Sequence, residues 1–382
     1  MRTSTERILT THVGSLPRPG DVAELLEAKE FGEDYDAATF EARMDRAVAE
    51  CVADQRAIGL DVINDGEIAK TGYATYIQDR LGGFSGDSPS VLFDDLSAFP
   101  DYRRRMGQAA GARRLRRPKC TGPVTLTDRA PMMADIARLD AAVAEAGAGA
   151  ADVFMNAASP GVIAVFQLNE HYDSDDAYID ALAAAMTPEY EAIANAGFIL
   201  QLDCPDLAMG RHVTYSDLGD DDFVSRARRL VEAMNAALAN VPAEAARMHV
   251  CWGNYEGPHH KDIELARIIE VLLDAKPQGL SFEAANPRHA HEWRVFEDID
   301  LPDGKVLIPG VVDSTTNYVE HPELVAERIC RFANIVGRER VIASADCGFA
   351  TFAGISKIDP AIAQMKLEAL VEGAAIASGR LW

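Results

Sequence analysis

Three short clusters in the sequence carry metal-ligand chemistry. They are His249-Val250-Cys251, Glu283 within Ser281-Phe282-Glu283, and Asp346-Cys347-Gly348. Imidazole, thiolate and carboxylate together suit zinc, which accepts all three in a tetrahedral site. If residues 247–251 form a strand, His249 and Cys251 lie two apart and point to the same side, so one strand end presents both to one ion. The spacing alone leaves another reading open, that of a hydrogen-bonded core histidine beside small buried thiols. The other cysteines, Cys51, Cys120, Cys204 and Cys330, are scattered and form no CxxC pair. In a chain of 382 residues that points to reduced thiols or metal ligands rather than a disulfide framework.

One chemistry open to zinc on such ligands, among others, is the activation of a thiol. A free thiol has a pKa near ~8.5 and only its thiolate is a good nucleophile. A bound metal deprotonates it at neutral pH, provided one ligand yields a position to it. Glu283 is the candidate for the yielding ligand.

Elements that would position these residues follow from the hydrophobic pattern. Short apolar runs alternate with longer amphipathic stretches, the pattern of βα units around a parallel sheet. Eight strands are expected at Ile8–Val13, Leu60–Asp65, Lys119–Thr125, Phe198–Asp203, Arg247–Cys251, Gly279–Glu283, Val306–Val312 and Val341–Ala345. Helices are expected within Thr39–Ile58, Asp175–Ala196, Asp221–Ala239, Ile263–Ala275 and Glu323–Val336. That count predicts an α/β fold, a (β/α)8 TIM barrel, as a single domain over residues 1–382 with elaborated loops. The carboxyl ends of all its strands would open at one mouth, where barrel active sites lie. No GxGxxG follows the first strand, which disfavours a dinucleotide-binding open sheet. The apolar stretch Ala151–Phe166, broken by Pro160-Gly161, is expected to be an elaborated loop between the third and fourth strands.

The net charge of −23 disfavours nucleic acid and anionic lipid as partners. No apolar run is long enough to span a membrane, and the N-terminus lacks a signal-peptide core, so the cytoplasm is the expected location. Against that charge, Arg103–Lys119 holds eight basic residues. It is either a solvated face paired with acidic neighbours or a seat for an anionic substrate group.

Taken together, the motifs resemble a known family. They are THVGSLPRP from residue 11, DVINDGEIAKTGY from 61, TGPVTL from 121, QLDCPDLAM from 201, HVCWGNYEG from 249, SFEAANPRH from 281, GVVDSTTNYVEHPE from 310 and SADCGFATF from 344. In this order they resemble the catalytic C-terminal half of cobalamin-independent methionine synthase and its short stand-alone relatives. The likeness covers nearly the whole chain. It implies a zinc-dependent transferase that methylates homocysteine or a similar thiol in methionine biosynthesis. The zinc ligands it implies are His249, Cys251, Glu283 and Cys347. It places Gly14 and Ser15 at the substrate carboxylate, and Glu67 and Asp203 at the homocysteine ammonium.

Departures from the family pattern bear on the donor side. The family's histidine in the loop after the seventh strand is Thr315 here, while Asp313 is retained, and Asp313 and His321 become candidates for handling the leaving-group proton. The half of the full-length enzyme that helps bind polyglutamylated folate has no counterpart in these residues. The methyl or alkyl donor is therefore left open, with a corrinoid protein among the possibilities, as is the oligomeric state. The Arg-rich segment and Thr315 keep a second reading alive, an epoxyalkane:coenzyme M transferase-type alkylation of a small anionic thiol. A third is a binding protein with a closed structural zinc. Trp252, Tyr255 and Trp293 are either acceptor-pocket wall or plain core. His259-His260 and the pair His289 and His291 are expected at the surface, His12 is unassigned, and His321 precedes a helix starting at Pro322.

Overall fold

A computed structural model of the chain describes residues 1–88, 91–109, 117–147, 153–355 and 357–382. In chain order the strands are β1 Leu9–Thr10, β2 Leu81–Ser85, β3 Lys119–Leu126, β4 Phe154–Ala158, β5 Ile199–Asp203, β6 Ala246–Val250, β7 Gly279–Phe282, β8 Val306–Val312 and β9 Ile342–Ala345. The α-helices are α1 Gly20–Phe31, α2 Ala37–Ile58, α3 Pro100–Ala109, α4 Ala130–Glu145, α5 Pro160–Phe166, α6 Asp175–Asn195, α7 Gly210–Val213, α8 Asp220–Ala237, α9 Leu265–Leu273, α10 Pro322–Val336 and α11 Pro360–Leu381.

Seven strands run parallel in the order β1-β9-β8-β7-β6-β5-β4. Residues 60–64 fill the remaining gap. The N–H groups of Asp61 and Val62 donate to the Thr10 carbonyl, Ile63 bridges Val153 in parallel, and the Phe154 N–H donates to the Ile63 carbonyl. The ring therefore closes with eight staves, as a (β/α)8 barrel. The five expected helices fall on α2, α6, α8, α9 and α10. Between β7 and β8, a 3-10 turn at Glu292–Glu297 stands where an α-helix is usual.

Two expectations are corrected. Lys119–Thr125 lies in β3, which pairs antiparallel with β2 in a separate two-stranded sheet. The third stave is instead β4, inside the stretch expected to be a loop; Ala151 and the residue after it lie outside the described residues. The physical reason is burial. Every residue of β4 is buried, so it lacks the alternation that marks a half-exposed strand. Ser159 then caps α5, its Oγ accepting from the Val162 N–H at 3.0 Å, with Pro160 in the first turn. Strand, cap and helix thus merge into one apolar run. By contrast β3 is only partly buried and lies in a two-stranded antiparallel sheet beside the ring.

Local signals set the longest helices. In α2, Asp36 Oδ1 accepts from the Thr39 N–H at 2.7 Å, and Gly59 ends the helix at φ 95°. Its buried residues, Phe40, Met44, Ala47, Val48, Cys51, Val52 and Gln55, recur at helical spacing.

The barrel interior changes character from bottom to mouth. Leu9, Val306, Ile308 and Ile342 cluster at one end, and Val62, Phe154 and Ile199 form a second cluster, both touching Met1. One layer up, Asn156 of β4, Gln201 of β5 and Arg247 of β6 stand level with one another, all buried. A strand's period of two carries this side upward to Asp203 and Cys251. No helix among the described residues is long and apolar enough to cross a membrane.

Candidate metal centre and the cavity beside it

The ligand atoms of His249, Cys251 and Cys347 all lie within 4.8 Å of one another and are buried. The two sulfurs are 3.7 Å apart. That is too long for a disulfide and close to the ~3.8 Å edge of a tetrahedron with metal–sulfur distances of about 2.3 Å. Neither ring nitrogen of His249 has a hydrogen-bond partner, although buried polar atoms are nearly always satisfied. Burial holds the imidazole neutral by pushing its pKa down to about 3, which leaves it a ligand. Hydrogen bonding between the two thiols, with burial, pushes Cys251 well up. This is a donor set that a dication would complete, and the residues fit zinc.

Glu283 follows β7 and is buried, but it is not part of that triple. Its Oε1 accepts from the Trp252 N–H at 2.8 Å and its Oε2 from Asn286 Nδ2 at 2.7 Å. Burial raises its pKa well above the ordinary value. The loop that carries it is strapped by Asp346, whose oxygens accept from the N–H groups of Ala284, Ala285 and Asn286, each at 2.8 Å.

A cavity of about 360 Å³ opens beside the triple. Ser15, Glu67, Asp203, His249, Cys251 and Cys347 all line it, so five separate motifs converge there. Gly14 stands just behind. A Cβ on it would lie 2.4 Å from Glu67 Oε1 and 2.6 Å from Asn156 Nδ2, and its φ is +152°, so only glycine lets the Glu67 carboxylate come this close. Similarly a Cβ on Gly348 would meet Ser15 Oγ at 2.0 Å. Burial raises the pKa of both Glu67 and Asp203; the Asp203 carboxylate raises Glu67 further as a like charge, while hydrogen bonds from Asn156 and Gln201 temper the rise at Asp203. Glu67 Oε2 has no partner. Asp203 is held by Asn156 Nδ2 at 3.0 Å and Gln201 Nε2 at 2.8 Å.

Other residues fall elsewhere. Asp313 does not line the cavity. Its carboxylate accepts from the backbone N–H and the hydroxyl of both Thr315 and Thr316, which closes the loop after β8 and occupies both oxygens. Of the three aromatic candidates only Tyr255 is wall; Trp252 is fully buried, its Nε1 donating to the Ile263 carbonyl, and Trp293 packs against the core. Tyr73, Phe93, Phe166 and Phe352 add further aromatic wall. His289 is buried rather than at the surface. It bridges Glu292 at 2.7 Å and Asp262 at 3.0 Å, and those two carboxylates overcome desolvation to lift its pKa to about 10. His12 is likewise interior, bonded to Gln55 at 2.8 Å. His321 caps α10, its Nδ1 accepting from the Glu323 N–H at 3.2 Å.

Within the basic segment, Arg103, Arg104 and Arg105 are exposed, Arg104 pairs with Asp101, and Lys119 pairs with Glu170. Arg117 is buried and reaches the cavity wall. Arg113, Arg114 and Arg116 lie outside the described residues.

Sequence reasoning missed Asn156, Gln201, Arg247 and Asp346. Gln201 and Arg247 were open to inference, since each sits two residues before a site residue on its strand and so shares its side.

Residues 8–174 and 172–370 match the family described as the catalytic domain of cobalamin-independent synthase. The methionine synthase of Thermococcus kodakarensis is 26% identical over 371 residues, covering 96% of this chain and 92% of that protein. The methionine synthase of Saccharolobus solfataricus is 26% identical over 369 residues, covering 95% and 93%. A B12-independent methionine synthase from a Shewanella species, solved in complex with selenomethionine, superposes with a TM-score of 0.74 at 18% identity, covering 98% of this chain and 99% of that one. The last likeness speaks to the fold.

Proposed function

Because the chain belongs to the cobalamin-independent synthase catalytic-domain family, a family of methyl-transferring enzymes, we propose that it methylates homocysteine or a closely similar thiol in one catalytic unit spanning residues 1–382. In this reading His249, Cys251 and Cys347 would hold zinc, and Glu283 would serve as a fourth, weaker ligand able to yield its position to the substrate thiol. A bound zinc would supply one thing, a thiolate at neutral pH in place of a thiol.

The observation that carries the proposal is the shared cavity. Two carboxylates, Glu67 and Asp203, line the same space as the two cysteines and the histidine. Buried like charges repel, and an incoming ammonium relieves that repulsion. A ligand with an ammonium at one end and a sulfur at the other is what such a space favours. Ser15, at the cavity wall, would in this reading donate its hydroxyl to the substrate carboxylate. The aromatic lining excludes water from the reacting centre, which strengthens each of these polar contacts. The selenomethionine held by the Shewanella relative is the selenium counterpart of the product this reading expects. Arg117 puts a cation at the same wall, but the paired carboxylates Glu67 and Asp203 favour an amino acid over a small sulfonate thiol.

Calorimetric titration of the zinc-loaded protein tests this reading. Homocysteine should bind with measurable heat and 2-mercaptoethanesulfonate should bind more weakly by on the order of tenfold or more, the worth of a charge-assisted contact. No heat with homocysteine would overturn it.

A further inference from the structure

One layer below the cavity, the barrel encloses a guanidinium. Arg247 is 1% exposed and precedes His249 by two residues on β6, so both side chains point inward. Its Nε donates to Gln201 Oε1 at 2.7 Å, its Nη1 to Thr11 Oγ1 at 3.0 Å and its Nη2 to the His12 carbonyl at 2.9 Å. The group lies over the Phe154 ring, 3.6 Å from its centroid.

Arginine only donates. The Gln201 carbonyl oxygen must therefore face Arg247, and its amide nitrogen must face the mouth. There Nε2 donates to Asp203 Oδ1 at 2.8 Å and to the Val13 carbonyl. Asn156 is fixed in the same sense from the opposite side. Its Oδ1 accepts from Asn64 Nδ2 at 3.0 Å, while Asn64 Oδ1 accepts from the Gly66 N–H at 2.8 Å. Asn156 Nδ2 is thereby left for Asp203 Oδ2, at 3.0 Å. Asp203 thus meets N–H groups on both flanks. Rotation of either amide would set an oxygen against the carboxylate.

We propose that Arg247, acting through Gln201, is a positioning residue that makes the cavity select thiols bearing an ammonium group. It does so by locking the Gln201 amide so that Asp203 is held in place with its acceptor capacity turned to the cavity. The proposal rests on the reading of Asp203 as the ammonium partner. Removing the guanidinium frees the amide to turn, and Asp203 then loses its fixed aim. The metal triple, built from other side chains, keeps its place.

The test compares homocysteine with 4-mercaptobutanoate, the same thiol without its amino group, as ligands of the zinc-loaded protein and of its Arg247→Met and Gln201→Met variants. The wild-type protein should prefer homocysteine by on the order of tenfold or more. Both variants should lose that preference to within about twofold, while zinc content and the Kd for 4-mercaptobutanoate stay unchanged. If Arg247→Met does not fold, Gln201→Met decides alone, because it leaves the other two Arg247 contacts intact. A wild-type protein with no preference would sink the assignment of Asp203 itself. A wild-type preference that survives in the variants, or an equal loss for both thiols, would overturn the role given to Arg247.

Discussion

Glu67 holds a backbone conformation that few residues other than glycine adopt, with φ 52°. Such strain persists where surroundings impose it, and here it brings a carboxyl into the cavity. Burial, with Asp203 nearby, raises its pKa, so the folded state holds a proton that the unfolded state releases near pH ~4. A group raised in this way contributes nothing against folding at low pH and weakens the fold as pH climbs towards the raised value. Glu67→Gln should therefore gain stability over the wild-type protein as pH rises from 5 to 9, by about 2 °C in Tm or more. Thermal melts across that range check it, and a constant difference would contradict it. At this scale the sequence was legible where spacing carries chemistry. His249 and Cys251 lie two apart on a strand, and Cys347 follows a strand end. Asn156, Gln201 and Arg247 were not read as functional because their roles depend on which way an amide faces, and that is set by partners far along the chain.

The elements serve mainly to bring loops from different strands to one rim. Asp346 shows how. It sits after β9 yet its carboxylate straps residues 284–286, which follow β7. Asp346→Asn leaves one acceptor oxygen for three donors and turns an N–H₂ towards an N–H. The expected cost is about 1–3 kcal/mol, read as a lower urea midpoint, together with faster zinc loss to a chelator as Glu283 loses its seat. Unchanged midpoint and zinc retention would contradict this coupling. The barrel's strand count was readable from alternation, but one stave was misplaced. The Lys119–Leu126 strand carried strand-like residues because it is a half-exposed strand of a separate two-stranded sheet, whereas β4 was masked by its burial and by the helix that Ser159 and Pro160 start immediately after it. Closely fused elements leave no turn residues to mark their junction.

At the scale of the whole molecule, the barrel grades from an apolar floor around Met1, through a layer holding Gln201 and Arg247, to the polar mouth. The net charge of −23 is not confined to the outside, since Glu67, Asp203 and Glu283 are buried at the mouth. The mouth then combines two functions in one cavity, a soft ligand set at one side and paired carboxylates at the other. That pairing is the central claim, and zinc-edge X-ray absorption on the zinc-loaded protein, with and without homocysteine, tests it most directly. The account predicts two sulfur ligands and an imidazole without substrate, and a third sulfur at about 2.3 Å once homocysteine is added. A spectrum with no added sulfur on homocysteine, or one without any sulfur ligand to begin with, would contradict it.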